Sequence, residues 1–322
     1  MTQTNDTDFE LPVVQIWREA YGFVFSVPSR VIIAAIVPFG LYFLLSTAVQ
    51  ITYFNEATVE IYRLSDALQA IDFADPEADM SVVSEFIGAA LGFFGWLAIL
   101  LIFGGLAGAS MAAAWHRTTL IGLDADRTGF GLFLSAVEFR YFLRAFLMVV
   151  ITVAALLGYA IVASVGYAVL LLIVALIAGP AADVLALLLL APLIGGGVLL
   201  WLYIWSKLIM SLPAAALGIN GFGFGEAWSA TRGHVGRLMM TYAGLMLPLF
   251  LLGLGVSWAL ELMQNVPTEI TEITTNDLTQ SMLLAAVPNF LLTAFSTALV
   301  ASGMSYTYYR LGQPPEWVEK VF

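Results

Sequence analysis

Six long stretches without a charged residue alternate with short polar segments along the chain. They cover residues 31–55, 86–115, 145–182, 184–206, 238–260 and 278–309. A helix needs about 20 mostly apolar residues to cross a bilayer, and every stretch is longer than that. Transmembrane strands use alternating segments of roughly 10 residues, which these continuous apolar stretches do not match. The pattern predicts an all-α, polytopic membrane helix bundle, with a single membrane domain over residues 1–322. The predicted spans are about 31–54, 86–115, 145–178, 184–210, 238–260 and 281–309.

The stretch 145–182 is long enough for one bent helix or for two short ones, and the distribution of basic residues favours one. With one span there, 11 of the 12 Lys and Arg residues fall on one side of the membrane and only Arg63 on the other. With two spans the division becomes 6 to 6. Short cytoplasmic loops collect Lys and Arg. We therefore expect six spans in a bacterial inner membrane, with both termini cytoplasmic. A span followed by a re-entrant segment is the alternative.

A further charge-free run, 208–225, is not counted as a span. It contains Pro213, Asn220 and four glycines. These residues are typical of chain turns. We interpret the run as the end of a helix followed by a loop.

Composition agrees with a membrane protein and narrows the chemistry. Hydrophobic residues make up 61% of the chain and charged residues 11%, whereas a soluble chain carries about 25% charge. The net charge of −11 comes mainly from the predicted outer loops, so it indicates no nucleic-acid partner. There are no cysteines, which excludes disulfides, thiol catalysis and cysteine metal sites.

A repeated motif divides the chain into three units. Residues 129–136 and 223–230 share the pattern GFGxxxSA, and the returning spans end near Gly122, Gly218 and Gly312. Each predicted unit consists of a short amphipathic helix, a span, an outer loop and a second span. The units are about 11–122, 123–218 and 219–312.

The short segments 11–25, 129–144 and 223–237 combine aromatic residues with arginines. An amphipathic helix of this kind lies in the plane of the lipid headgroups. It either binds lipid or simply anchors the span that follows it. The candidate contacts with lipid headgroups or the membrane interface are Arg117, Arg140, Arg144, Glu226, Trp228, Arg232, His234 and Arg237.

Catalytic chemistry has little support in the sequence. Ionisable residues inside a membrane mark functional sites, and the centres of the six stretches carry none. The two histidines, His116 and His234, lie near the basic ends of spans, and with Glu226 they form the one plausible trio for an enzyme. The glycines of 221–225 lack the Lys and Ser/Thr of a phosphate loop. We expect no catalytic residues, no metal and no cofactor.

Glycine and proline residues interrupt several spans. Span 2 carries the pairs Gly88/Gly92 and Gly104/Gly108, which allow close approach of helices. Four prolines are expected to kink spans: Pro38, Pro192, Pro248 and Pro288. A kinked bundle of this kind suits either tight packing or a groove open to lipid.

The segment 211–240 resembles the membrane domain of some bacterial glycerophosphoryl diester phosphodiesterases and of related stand-alone multispan proteins of unknown function. The matching positions are Pro213, Glu226, Ala227, Trp228, Ser229, Arg232 and Gly233. In the fused members a separate soluble domain carries the hydrolytic chemistry, and here residues 312–322 are all that follow span 6. The resemblance therefore implies no phosphodiesterase activity.

These observations favour a non-enzymatic inner-membrane protein that binds or organises phospholipids, or that supports a membrane-protein partner. The alternative is an uncoupled transporter or flippase for a lipid-like amphiphile. That alternative predicts a lateral opening beside spans 4 and 6.

Overall fold

The computed structural model describes residues 11–69, 81–122, 135–177, 182–264 and 275–312. Within these ranges the regular structure is helical throughout, which confirms the predicted fold class. The helices are α1 Val13–Ser26, α2 Pro28–Val49, a π-helical turn Gln50–Phe54, α3 Asn55–Gln69, α4 Ser81–Ile121, α5 Ala136–Ile177, α6 Ala182–Leu208, α7 Ser211–Ala216, α8 Phe224–Ala230, α9 Val235–Gln264 and α10 Thr275–Leu311.

Six of the helical segments are long and apolar enough to cross a membrane. They are Pro28–Gln69, Ser81–Ile121, Ala136–Val174, Leu188–Ala216, Val235–Leu260 and Leu283–Leu311. The ambiguous stretch is settled by α5, which runs without a break from Ala136 to Ile177. The prediction of one span rather than two at this place is confirmed.

Two details of the predicted layout are wrong. Residues 136–144 do not form a separate interfacial helix, because they are the first turns of the same helix α5 that forms the span; residues 129–134 lie outside the described ranges. The run 208–225 is more than a helix end and a loop, since it contains the separate and fully buried helix α7. In the first and third units, α1 and α8 are separate helices as expected, and the threefold repeat itself stays a prediction.

Glycines end two of the helical segments for a conformational reason. Gly122 and Gly218 have φ angles of 107° and 73°, a region that side chains with a Cβ rarely adopt. The N–H of Gly122 donates to the carbonyl of Thr118 at 3.1 Å. The N–H of Ile219, the residue after Gly218, donates to the carbonyl of Ala214 at 2.9 Å. These bonds satisfy carbonyl groups that the helix ends would otherwise leave unpaired.

The buried core lies at one end of the bundle, which we name the basic end. Its cations are Arg18, Arg30, Arg117, Arg140, Arg144, Lys207, Arg232, Arg237 and Arg310. Here α4 and α10 pack against each other at the centre, with α1, α2, α5, α7 and α9 around them. At the other end apolar side chains face outward: Ile161, Val162, Val165 and Leu176 of α5 are between 62% and 78% exposed. Lipid tails are as apolar as these side chains, so the side chains need no covering protein at this end of the bundle.

One glycine of each pair on span 2 receives an aromatic side chain rather than a facing helix backbone. A Cβ on Gly92 would lie 2.3 Å from the Tyr53 hydroxyl, and one on Gly104 would lie 2.9 Å from the Tyr42 ring. Gly88 and Gly108 face open space. Only one glycine of each predicted pair therefore serves close packing, and its partner is a tyrosine.

Candidate functional site

A layer of hydrogen-bonded polar side chains crosses the core at the basic end. The indole N–H of Trp115 donates to Ser302 Oγ at 2.8 Å. The His116 ring bonds through Nδ1 to Ser305 Oγ at 2.8 Å and through Nε2 to Tyr141 O–H at 3.2 Å. His116 is fully buried, and a neutral imidazole satisfies both bonds with one donor and one acceptor nitrogen. This layer joins α4, α5 and α10 and leaves no ring nitrogen of His116 for a ligand.

Arg117, one of the predicted headgroup contacts, faces the protein interior. Its Nη2 donates to Glu138 Oε1 at 2.7 Å, and its Nη1 donates to the carbonyl of Ala216 at 3.4 Å. Glu138 is only 4% exposed and also accepts from Ser135. Arg117 therefore links α4, α5 and the end of α7.

Arg140 and Arg144 fix the segment between α7 and α8. Arg144 Nη1 donates to the carbonyls of Ser211 at 3.0 Å and Phe222 at 2.7 Å. Arg140 donates to the side-chain amide oxygen of Asn220. Arg144 thus satisfies one carbonyl of this segment and one of α7, while Arg140 holds the exposed side chain of Asn220.

Two further arginines hold α1 against the bundle. Arg237 Nη1 donates to the carbonyl of Leu11 at 3.2 Å. Arg310 Nη2 contacts both carboxylate oxygens of Glu19 at 2.8 Å. Of the predicted headgroup contacts, Arg117, Arg140, Arg144 and Arg237 thus bond to the protein itself.

The trio that an enzyme would need does not converge. His116 is buried between α4, α5 and α10, while Glu226 is exposed on α8 and His234 lies half-buried between α8 and α9. The Glu226 carboxylate accepts the N–H of Gly223 at 2.9 Å. Its own backbone N–H and that of Gly223 lower the pKa of Glu226, which suits a helix-capping carboxylate. Among the described residues there is also no group of three His, Asp or Glu side chains able to hold a metal ion.

Helix α1 packs against α9 at Gly244 and Pro248. Proline has no N–H, so Pro248 leaves the carbonyl four residues earlier, at Gly244, without its helical donor. The hydroxyl of Tyr21 donates to that carbonyl at 3.3 Å. One turn away, the Trp17 indole lies directly on Gly244 and donates to the carbonyl of Thr241 at 2.9 Å. Burial raises the pKa of Tyr21, so the phenol stays protonated as a donor.

Replacing Tyr21 by phenylalanine tests this account of the docking. We expect Y21F to lower the free energy of unfolding by about 1 kcal/mol, because the Gly244 carbonyl loses its substitute donor. Chemical unfolding of the purified protein in detergent measures the change. Tyr62→Phe, an exposed position on α3, is the control that should leave stability unchanged. Equal effects of the two substitutions would show that the Gly244 carbonyl does not need Tyr21.

Two cavities are lined by residues of the described helices. The α1–α9 groove has a volume of about 560 Å³ and is lined by Val14, Trp17, Arg18, Tyr21, Gly244, Leu247 and Pro248. The α2–α4 pocket has a volume of about 300 Å³ and is lined by Pro38, Leu41, Tyr42, Leu45, Phe103, Leu106, Ala107 and Ser110. None of these lining residues belongs to span 4 or span 6, beside which the transporter alternative predicts an opening.

The predicted headgroup contacts did not include Lys207, Arg18 or Arg310. Lys207 of α6 is buried, and its ammonium lies 5.2 Å from the ring centre of Trp228. Trp228 and Arg232, both predicted, are exposed at the same place. The available sequence signal was the spacing of Tyr203 and Lys207, which puts both on the same face of α6.

No protein-family model matches this chain, and no curated protein or solved structure shows significant similarity to it. The resemblance to the membrane domain of phosphodiesterases stays an expectation.

Proposed function

We propose that this protein is a non-enzymatic, multi-pass membrane protein that binds phospholipid at its basic end. The observation that carries the proposal is the α1–α9 groove, in which the exposed cation Arg18 stands beside an apolar lining. The groove has the volume of a small-molecule site, which is about 300–1,000 Å³. Its composition matches a lipid, since an apolar wall takes acyl chains and a cation takes the phosphate.

The position of the groove supports the same proposal. Helix α1 lies beside the part of α9 that contains Thr241, Gly244 and Pro248. Aromatic residues such as Trp17 and Tyr21 favour the boundary between headgroups and acyl chains. Arg18 makes no ion pair with any residue in the described ranges, which leaves its guanidinium available for an anionic headgroup. We place the basic end, with both termini, on the cytoplasmic side of a bacterial inner membrane.

Filling the groove tests the proposal. We expect Leu247→Trp to reduce the phospholipid that co-purifies with the protein in mild detergent by at least half, because the indole occupies the space beside Pro248. Quantitative lipid mass spectrometry of the purified protein measures the content. The matched control is Leu252→Trp on the same helix, since Leu247 and Leu252 are similarly exposed, at 55% and 57%.

The control distinguishes filling of the groove from any effect of a new tryptophan in the membrane. Equal lipid content in the two variants and the wild type would contradict lipid binding in the groove. Support of a membrane-protein partner and uncoupled transport of an amphiphile remain alternatives.

A further inference from the structure

Lys207 is buried at the basic end, and within the described ranges it has no anionic partner. Its side chain is 4% exposed. Among the residues that the structure describes, no carboxylate lies within ion-pair distance of its ammonium. The contact that the ammonium makes is with the face of Trp228, at 5.2 Å from the ring centre. A buried charge is costly unless an opposite charge compensates it, so Lys207 lacks the partner that its burial calls for.

A second cation, Arg232, comes four residues after Trp228. It follows α8 and is exposed. In the described ranges its guanidinium likewise forms no ion pair. Glu226, the carboxylate of α8, is engaged with the N–H of Gly223. Trp228 is thus associated with two cations, Lys207 over its ring and Arg232 four residues further along, and the described residues supply neither with a carboxylate partner.

Aromatic side chains give this place a fixed shape. Tyr203 lies one turn before Lys207 on α6, and its ring meets Trp228 edge to face at 5.9 Å. Both rings are partly exposed, at 38% and 37%, so the cluster opens to the surface of the bundle. A cation held over the face of a tryptophan is oriented as well as stabilised.

We propose that Lys207, Trp228 and Arg232 form a binding site for a phosphate group, carried either by an anionic phospholipid or by a free phosphate anion. The ammonium offers up to three donors, and the guanidinium offers a fork that matches two phosphate oxygens. The bound phosphate supplies the missing counter-charge. The site lies between α6 and α8 and uses no residue of the α1–α9 groove, so it goes beyond the lipid binding proposed above.

The experiment measures binding of phosphatidylglycerol and phosphatidylcholine to the purified full chain by native mass spectrometry. We expect Lys207→Gln to weaken phosphatidylglycerol binding about tenfold and to leave phosphatidylcholine binding unchanged. Arg232→Gln should act in the same direction, and because Arg232 is exposed this variant folds even where loss of Lys207 disturbs α6. Lys207→Arg should retain binding. Arg30→Gln, an exposed arginine on α2, is the matched control.

Inorganic phosphate distinguishes the two sources of the phosphate group. If millimolar phosphate displaces phosphatidylglycerol from this site, the site accepts the free anion; if it does not, the lipid headgroup is the ligand. Unchanged phosphatidylglycerol binding in both Lys207→Gln and Arg232→Gln overturns the proposal. Equal loss of both lipids also overturns it, because Lys207 would then only hold α8 in place. Leu247→Trp should leave the effect of Lys207→Gln intact, which separates this site from the groove.

Discussion

Gly244→Leu is expected to detach α1 from the bundle and to lower the free energy of unfolding by about 3 kcal/mol. A Cβ at this position would lie 2.1 and 2.2 Å from two ring carbons of Trp17 and 2.7 Å from its indole nitrogen. The ring cannot retreat without losing its bond to the Thr241 carbonyl. The same movement takes Tyr21 away from the carbonyl that Pro248 leaves without a donor. The cost therefore combines overpacking with two lost hydrogen bonds.

Cysteine accessibility reports the detachment directly, because the chain has no native cysteine. Ala20 of α1 is fully buried, so a maleimide should react slowly with Ala20→Cys alone and rapidly with Ala20→Cys combined with Gly244→Leu. Gly255→Leu is the control, since a Cβ there meets nothing within 4 Å on the same helix. Slow labelling of Ala20→Cys in combination with either Gly244→Leu or Gly255→Leu would mean that α1 stays docked even when position 244 carries a side chain.

The docking of α1 shows what the sequence could predict and what it could not. The apolar stretch 238–260 and the missing backbone donor at Pro248 were readable from residue types, because span length and the lack of an N–H in proline are local properties. The partner of the orphaned carbonyl was not, since Tyr21 lies 223 positions away along the chain. Because lipid is as apolar as the interior of the bundle, the lipid-facing and protein-facing sides of a span carry similar apolar residues. The contacts between spans therefore leave little periodicity in the sequence.

The basic residues illustrate the same limit at the candidate site. Their distribution predicted six spans, because membrane insertion determines on which side of the membrane a basic residue lies. Insertion does not determine what the side chain contacts there. It could not separate arginines that face lipid from those that bond to the protein. Arg144 reaches the carbonyls of Ser211 and Phe222 because α7 is a separate buried helix, and the sequence prediction took that run for a helix end and a loop. Lys207 was missed because its contact with Trp228 joins α6 to α8, two helices separated by that misread run.

Arg117→Met is expected to lower the free energy of unfolding by about 3–5 kcal/mol, the second large effect. The substitution leaves the carboxylate of Glu138, which is 4% exposed, in the core with Ser135 as a remaining donor. It also removes the bond to the carbonyl at the end of α7. A headgroup contact at the surface would cost far less, since an exposed ion pair contributes only about 0–1 kcal/mol. Unfolding with increasing sodium dodecyl sulfate in mixed micelles measures the difference.

The double variant Arg117→Met with Glu138→Leu decides whether the cost comes from the unpaired charge. Removing both charges leaves apolar side chains of similar size, and we expect stability within about 1 kcal/mol of the wild type. The coupling between the two positions then amounts to several kcal/mol in a double-mutant cycle. If the two substitutions instead add, each side chain acts alone and the pair does not hold α4 to α5. Recovery in the double variant would assign Arg117 to the fold, and would leave anionic-lipid binding to cations such as Arg18, Lys207 and Arg232 that have no carboxylate partner in the described ranges.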